Sequence, residues 1–280
     1  MPVNPAYRDF FAALDAIEAG AEQWGAYQRR YLARHREVLR AYWSQCWSAD
    51  EERMREIVRE IRPDDYRPLR QALEHSDVDG IAREALRRCA ALLDLPAPQV
   101  DLLVGRFSPD AFLFQVEGQW HIGIGLERFA HFAGLPAFIA HEYGHYARRT
   151  LAAEPVTLGD AIVAEGAAVA FSQAAYPERA LARHLRMSPR RVHEIREREA
   201  SLWAALKPLL GERDPGMLSA VLHSGRGWQG FPPRFGGCLG YWAVRHFADA
   251  RAEPVTSRAV LAAESEAILA EYLASAGPQN

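Results

Sequence analysis

His141, Glu142 and His145 stand in the segment IAHEYGHYARR, residues 139–149, inside a run whose other residues have the spacing of a buried helix. At 3.6 residues per turn the two histidines fall one above the other, about 40° apart around the helix axis. Two imidazoles so placed can hold one cation. Glu142 lies about 100° round from His141, near enough to reach a water on that cation without being a natural ligand itself. This is the geometry of the His-Glu-x-x-His zinc-hydrolase motif. Catalytic zinc usually takes three protein groups and keeps the fourth position open, so a third His, Asp or Glu is expected on a neighbouring element.

The segment TLGDAIVAEGAAVAF, residues 157–171, offers that group. Thr157 can cap a helix, with Asp160 three residues later in the position of a capping-box acid. Glu165 then falls about two turns inside, among residues that are apolar nearly all round, so the helix is expected to be buried on most faces. An ionised carboxylate there is costly without a compensating charge, and a zinc ion supplies one. The 20 residues from His145 to Glu165 let the first helix finish, the chain turn, and an antiparallel helix return beside the histidines.

The elements that must position these residues follow from the pattern on either side. From Asp9 to about Arg62, apolar and charged residues alternate at helical spacing, which predicts two or three amphipathic helices. Pro63 and the acidic pair after it break the run, and a further helix is expected from about residue 78 to 93, before Pro96 and Pro98. VDLLV, AFLFQVE and WHIGIG then read as short strands, the last two joined by a turn at Gly118 and Gln119. After Gly134 the pattern is helical to the end, except for the Gly- and Pro-rich stretch from Ser224 to Gly240. The expected fold is α+β, mainly α: a helical N-terminal region over residues 1–75 and a domain over 76–280 in which a small mixed sheet packs on the motif helix.

Composition narrows the functions. The chain has 280 residues, 49% of them hydrophobic, enough to bury a substantial core. Its 33 basic and 36 acidic residues give a formal charge of −3, so bulk electrostatic binding to nucleic acid or an anionic membrane is not expected. The basic run RRYLARHR reads as a solvated helix face. Cys46, Cys89 and Cys238 are odd in number and lack a CxxC spacing, which disfavours a disulfide framework or a cysteine zinc site. With no uncharged run of membrane-spanning length and no signal-like start, a cytoplasmic location is expected. His121 and His131 flank the motif helix and read as surface groups or supports for the ligands, while His184 and His193, among arginines, are expected to be exposed. Nothing in the sequence indicates an oligomeric state.

At IGIGLERF, FIAHEYGHYARR, GDAIVAEGAAVAF and, more weakly, GGCLGYWAVRHF, the chain resembles the gluzincin class of metallopeptidases. Within it, the chain is most similar to the bacterial family of predicted zinc-dependent proteases, over roughly residues 100–250. The resemblance implies a zincin-like fold, Zn2+ as cofactor, His141 and His145 as zinc-binding histidines, Glu142 as the catalytic glutamate and Glu165 as the third ligand. One departure is plain: thermolysin-type gluzincins carry an acid four residues after the third ligand, where this chain has Val169. A partner orienting a ligating histidine must then come from elsewhere, with Asp160 a candidate. Hydrolysis of a peptide or an unfolded protein segment is the expected activity, with Tyr241, and next His246, as candidate donors to the oxyanion. WHIGIG is expected to line the cleft and pair with substrate, its glycines permitting close approach; the Ser224–Gly240 loop reads either as shaping or covering the cleft or as a passive surface loop. A non-proteolytic zinc hydrolase or peptide-binding domain on the same scaffold, and a helical interaction protein, are the other readings carried forward.

Overall fold

The protein is described by a computed structural model covering residues 2–106, 108–223 and 228–275, with the side chain of Trp47 outside the described residues. The chain divides into two compact units, residues 1–90 with 96–142, and 91–95 with 143–280.

In the first unit, β1 (Val3–Asn4) precedes α1 (Tyr7–Glu18), α2 (Gln23–Tyr27), which runs into a π-helical turn over Gln28–Leu32, α3 (Arg36–Trp47) and α4 (Glu51–Val58). A 3-10 turn over Pro63–Tyr66 leads to α5 (Arg67–Glu74), followed by α6 (Val78–Leu92). The charged N-terminal stretch therefore forms more helices than the expected two or three. Left-handed residues separate them: Gly20 has φ 93° and Ser48 has φ 49°. Between these helices the fully buried Phe10 ring meets Tyr27, Tyr31 and Tyr66 at 6.4, 5.5 and 5.0 Å. Each contact removes large apolar area from water and adds an edge or tilted ring contact. The Tyr31 hydroxyl donates to the Val104 carbonyl at 3.2 Å, which ties the helices to the sheet.

That sheet contains β1, β2 (Gln99–Leu103), β3 (Ala111–Val116) and β4 (Gln119–Gly125) in the order β1-β2-β4-β3. β2 pairs parallel with β1 and β4, and β3 pairs antiparallel with β4. The hairpin turn falls on Glu117 and Gly118, one residue earlier than expected, and both have positive φ, 48° and 79°, as a two-residue hairpin of the primed type requires. β4, the WHIGIG strand, is bonded on both sides and has no free edge for a substrate, contrary to expectation. Its glycines serve internal packing instead. A Cβ on Gly123 would stand 2.1 Å from the Phe112 ring, and one on Gly125 would stand 2.4 Å from the Pro109 carbonyl oxygen. At the outer edge of β3, the Gln45 side chain from α3 takes a strand's place, donating to Gln115 O at 2.6 Å and accepting from Gln115 N at 3.0 Å. Such cover suits an edge that would otherwise recruit another chain.

The division between units falls inside α7 (Leu135–Leu151), after Glu142. In the second unit α8 (Leu158–Ala175) is followed by α9 (Leu181–His184), α10 (Pro189–Glu197), α11 (Glu199–Leu206), α12 (Pro215–Leu222), α13 (Phe235–Asp249), α14 (Arg258–Ala262) and α15 (Ser265–Ser275). α8 begins on the expected capping box: Asp160 N donates to Thr157 Oγ1 at 3.2 Å and Thr157 N donates to Asp160 Oδ2 at 3.0 Å. Burial pushes the Asp160 carboxyl up, but hydrogen bonds from Thr157, Ser265 and Val156 outweigh it and hold the group below its ordinary value. α8 is buried on nearly every face, as its composition predicts.

α13 corrects the expectation of irregular chain up to Gly240. The helix starts at Phe235, so Gly236, Gly237 and Gly240 are helical. Gly240 meets Gly166 of α8 backbone against backbone, because a Cβ on Gly166 would lie 2.0 Å from the Gly240 carbonyl carbon. Here glycine marks a close helix crossing. The expected loop is thus confined to the residues before Phe235, of which 224–227 lie outside the described residues.

Two polar anchors fix the ends of this helical unit. Arg148, buried on α7, donates to the Leu261 and Ala263 carbonyls at 3.0 and 3.1 Å and to Ser265 Oγ at 2.9 Å. Arg148→Met removes a charged donor from three acceptors at once and is expected to cost about 2–4 kcal/mol in chemical unfolding. His184, expected to be exposed, is 2% exposed and bonded through Nδ1 to Ser172 Oγ at 2.8 Å. The expectation failed because the neighbouring arginines face outward while His184 turns in against α8. Burial depresses the His184 pKa from 6.5, so the unfolded chain binds a proton more readily than the folded one. The stability this group contributes is therefore complete above pH 6.5 and is lost as pH falls below it. Between pH 7.5 and 5.5 the melting temperature should fall further for the wild type than for His184→Gln.

Candidate metal centre

The motif helix and α8 are brought together at Gly144, the small residue inside HEYGH. A Cβ there would lie 2.7 Å from Ala168 Cα and 3.1 Å from Phe171 Cβ, so the helices touch where α7 lacks a side chain. Tyr143 beside it is fully buried and stacks on Phe171 at 5.3 Å between ring centroids. These contacts set the rotation of α7 and leave His145 facing Glu165, with His145 Nε2 3.4 Å from Glu165 Oε1. α7 is one continuous helix, so His141 stands a turn before His145 on the same face. Ligand atoms of His141, His145 and Glu165 lie within 4.8 Å of one another.

The donor set fits zinc. With ligand bonds of about 2.0–2.1 Å, a tetrahedral site separates adjacent donor atoms by about 3.3 Å. The His145–Glu165 spacing is close to that edge, and the donor atom of His141 lies within 4.8 Å of both. Burial is also suitable: His141 is 7% exposed, while the His145 and Glu165 side chains retain 16% and 20% exposure. The group is thus screened from bulk water yet open on one side. Glu142, next to His141, is 5% exposed. Cys46, Cys89 and Cys238 are free, and burial pushes each thiol up to about 12, with Glu142 adding to the effect at Cys46. Among the described residues, none of the three belongs to the donor group of His141, His145 and Glu165.

Other candidates lie elsewhere. Tyr241 is 8% exposed, and its hydroxyl donates to Gln173, eight residues along α8 from Glu165 or about 12 Å of helix rise. Burial raises its pKa. Tyr241→Phe is accordingly expected to cost about 1 kcal/mol of stability, read by chemical denaturation, and to leave any hydrolytic rate within about threefold. His246 packs edge-on against Tyr272 at 5.5 Å. Asp160 spends Oδ2 on the α8 cap, accepting from Thr157 N, Thr157 Oγ1 and Val156 N. His121 is buried in the first unit, where Nδ1 pairs with Asp101 Oδ2 at 2.7 Å. His131 is exposed, and so is His193, whose side chain is 75% exposed.

Sequence reasoning missed His223. It follows α12 and lines a cavity of about 140 Å³ together with His145 and Glu165. A lone histidine next to glycine-rich chain carries no spacing signal that would have singled it out.

A His-Glu-x-x-His helix thus stands beside a second helix that returns a glutamate, and the three donors form a group that could hold a metal ion. The family described as predicted Zn-dependent protease (DUF2268) matches residues 117–270, more than half of the chain, and the chain belongs to that family. No curated protein matched the chain, and no solved structure did. Among the described residues, no helix is long and apolar enough to cross a membrane.

Proposed function

We propose that this protein is a zinc metallopeptidase with a zincin-like arrangement, in which His141, His145 and Glu165 hold Zn2+ and Glu142 is general base and then general acid. The convergence of three donor atoms within 4.8 Å on two closely packed helices carries this reading. The two helices lie close at Gly144, and Glu142 sits beside the first ligand, where the motif needs a base. When bound, zinc supplies a Lewis acid that polarises a carbonyl and acidifies water. The Glu142 carboxylate takes the proton of the attacking water as the carbon–oxygen bond forms, then delivers it to the leaving nitrogen as the amide carbon–nitrogen bond breaks. Its burial keeps competing water off the carboxylate. The remaining exposure of His145 and Glu165 leaves a side for a peptide or an unfolded segment to approach.

Metal removal tests the reading. Dialysis against a chelator is expected to abolish cleavage of a peptide library, and one equivalent of zinc to restore it. Zinc binding with silence across a broad library would instead favour a non-proteolytic domain on the same scaffold.

A further inference from the structure

We propose that a cavity of about 590 Å³ in the first unit binds an aliphatic primary ammonium ion. Its walls are the chain around α5, from Glu60 to Ala72, and the residues that follow β2 and β4. The volume is typical of small-molecule pockets, about 300–1,000 Å³. None of the lining residues belongs to the donor group of His141, His145 and Glu165. Glu127 and Phe129, which do line it, come from the IGIGLERF stretch, and the proposed hydrolysis uses neither.

The charges on the wall select a cation. Arg106 is paired with Glu60 at 2.6 Å and Arg128 with Asp110 at 3.1 Å, so both guanidinium groups are already neutralised. Asp65 and Glu127 pair with no basic side chain among the described residues. Two carboxylates are therefore left uncompensated, which repels an anion and attracts a positive group.

Glu127 shows the demand most clearly. Its Oε1 accepts from Ser108 N at 3.0 Å, whereas Oε2 is buried with no donor. Ser108 is 3% exposed, and its Oγ also lacks a partner. That hydroxyl stands 2.9 Å from the place a Cβ on Gly105 would take, so it lies behind a residue of the cavity wall. Polar atoms left in this state are costly, and an ammonium lodged against Glu127 brings the N–H donors that they lack. The rest of the wall is largely apolar: Ile61, Tyr66 and Leu69 are buried, and Phe129 packs edge-on against Phe138 at 5.0 Å. Such surfaces suit a methylene stem that ends in a charge. A metal ion is not the match, because among the described residues the cavity supplies no group of three metal-type donors.

This chemistry occurs in two forms, a lysine side chain and a free diamine, and the test carries both. The full-length protein is titrated in a calorimeter with Nα-acetyl-lysine methylamide and with cadaverine, each beside the same compound with its free amines acetylated. At least one ammonium probe is expected to bind with a Kd of about 1 mM or tighter, and its acetylated form at least about 10-fold more weakly. The tighter of the two amines identifies the source. Asp65→Asn alters an exposed side chain, so it should fold as the wild type does and weaken binding about two- to fivefold. Glu127→Gln should weaken it about 10-fold or more, with a melting curve to show that the variant is folded. No heat of binding from either amine at about 10 mM overturns the proposal, as do acetylated probes that bind as tightly as the amines. Wild-type affinity in both folded variants would also overturn it, because the amine would then be held elsewhere.

Discussion

The substitution Glu142→Gln is expected to reduce zinc-dependent peptide cleavage by at least about 10³-fold while the zinc content of the protein stays the same. An amide in place of the carboxylate keeps the volume and the hydrogen-bonding shape of the side chain but cannot accept a proton from water. General acid–base groups contribute about 10²- to 10⁴-fold, and this carboxylate is assigned both halves of the transfer. The substitution leaves His141, His145 and Glu165 untouched, so the two readouts should separate cleanly. Mass-spectrometric detection of peptide cuts, with zinc measured on the same sample, checks the prediction. Cleavage at the wild-type rate would remove Glu142 from the chemistry.

The second large effect is expected at a residue with no chemistry of its own. In Gly166→Ala the new methyl would stand 2.0 Å from the Gly240 carbonyl carbon, 2.2 Å from its oxygen and 2.4 Å from Tyr241 N. All three are backbone atoms of α13, so no rotamer change can clear the way. The helices must move apart, opening packing along the whole contact between α8 and α13. Overpacking of this kind costs about 3 kcal/mol or more, which lowers the melting temperature of a chain of this size by about 6–12 °C. Glu165 precedes the substituted residue, so zinc affinity should fall as well. An unchanged melting temperature would show that the crossing is more compliant than its geometry implies.

The parts of the fold that were legible in the sequence are those specified locally. The motif helix and α8 announce themselves by apolar residues at helical spacing, and the Thr157–Asp160 box fixes the start of α8 from four adjacent residues. The three donors could be placed together because one pair shares a helix face and Glu165 was a carboxylate in an apolar helix. What could not be read depends on contacts between distant segments. β1 is two residues long and is a strand because Val3 and Asn4 pair with Val100 and Asp101. WHIGIG has the same alternation whether it lies at an edge or between β2 and β3. Gly236, Gly237 and Gly240 read as a loop, since glycine's low helix propensity is visible in sequence while the close neighbours of Gly236 and Gly240, on α12 and α8, are not. His184 and His223 eluded the sequence for the same reason: one turns into a buried bond with Ser172, and the other lines a cavity formed by helices far apart in the chain.

Zinc stoichiometry by elemental mass spectrometry, on protein purified without a metal-binding tag, tests the central claim most directly when the wild type and Glu165→Ala are measured side by side. The account predicts close to one zinc per wild-type chain and a clear reduction in the variant, because removing Glu165 leaves two imidazoles on one helix to hold the ion. Absence of zinc from the wild type even after loading under mild conditions, or equal zinc in both proteins, would contradict it.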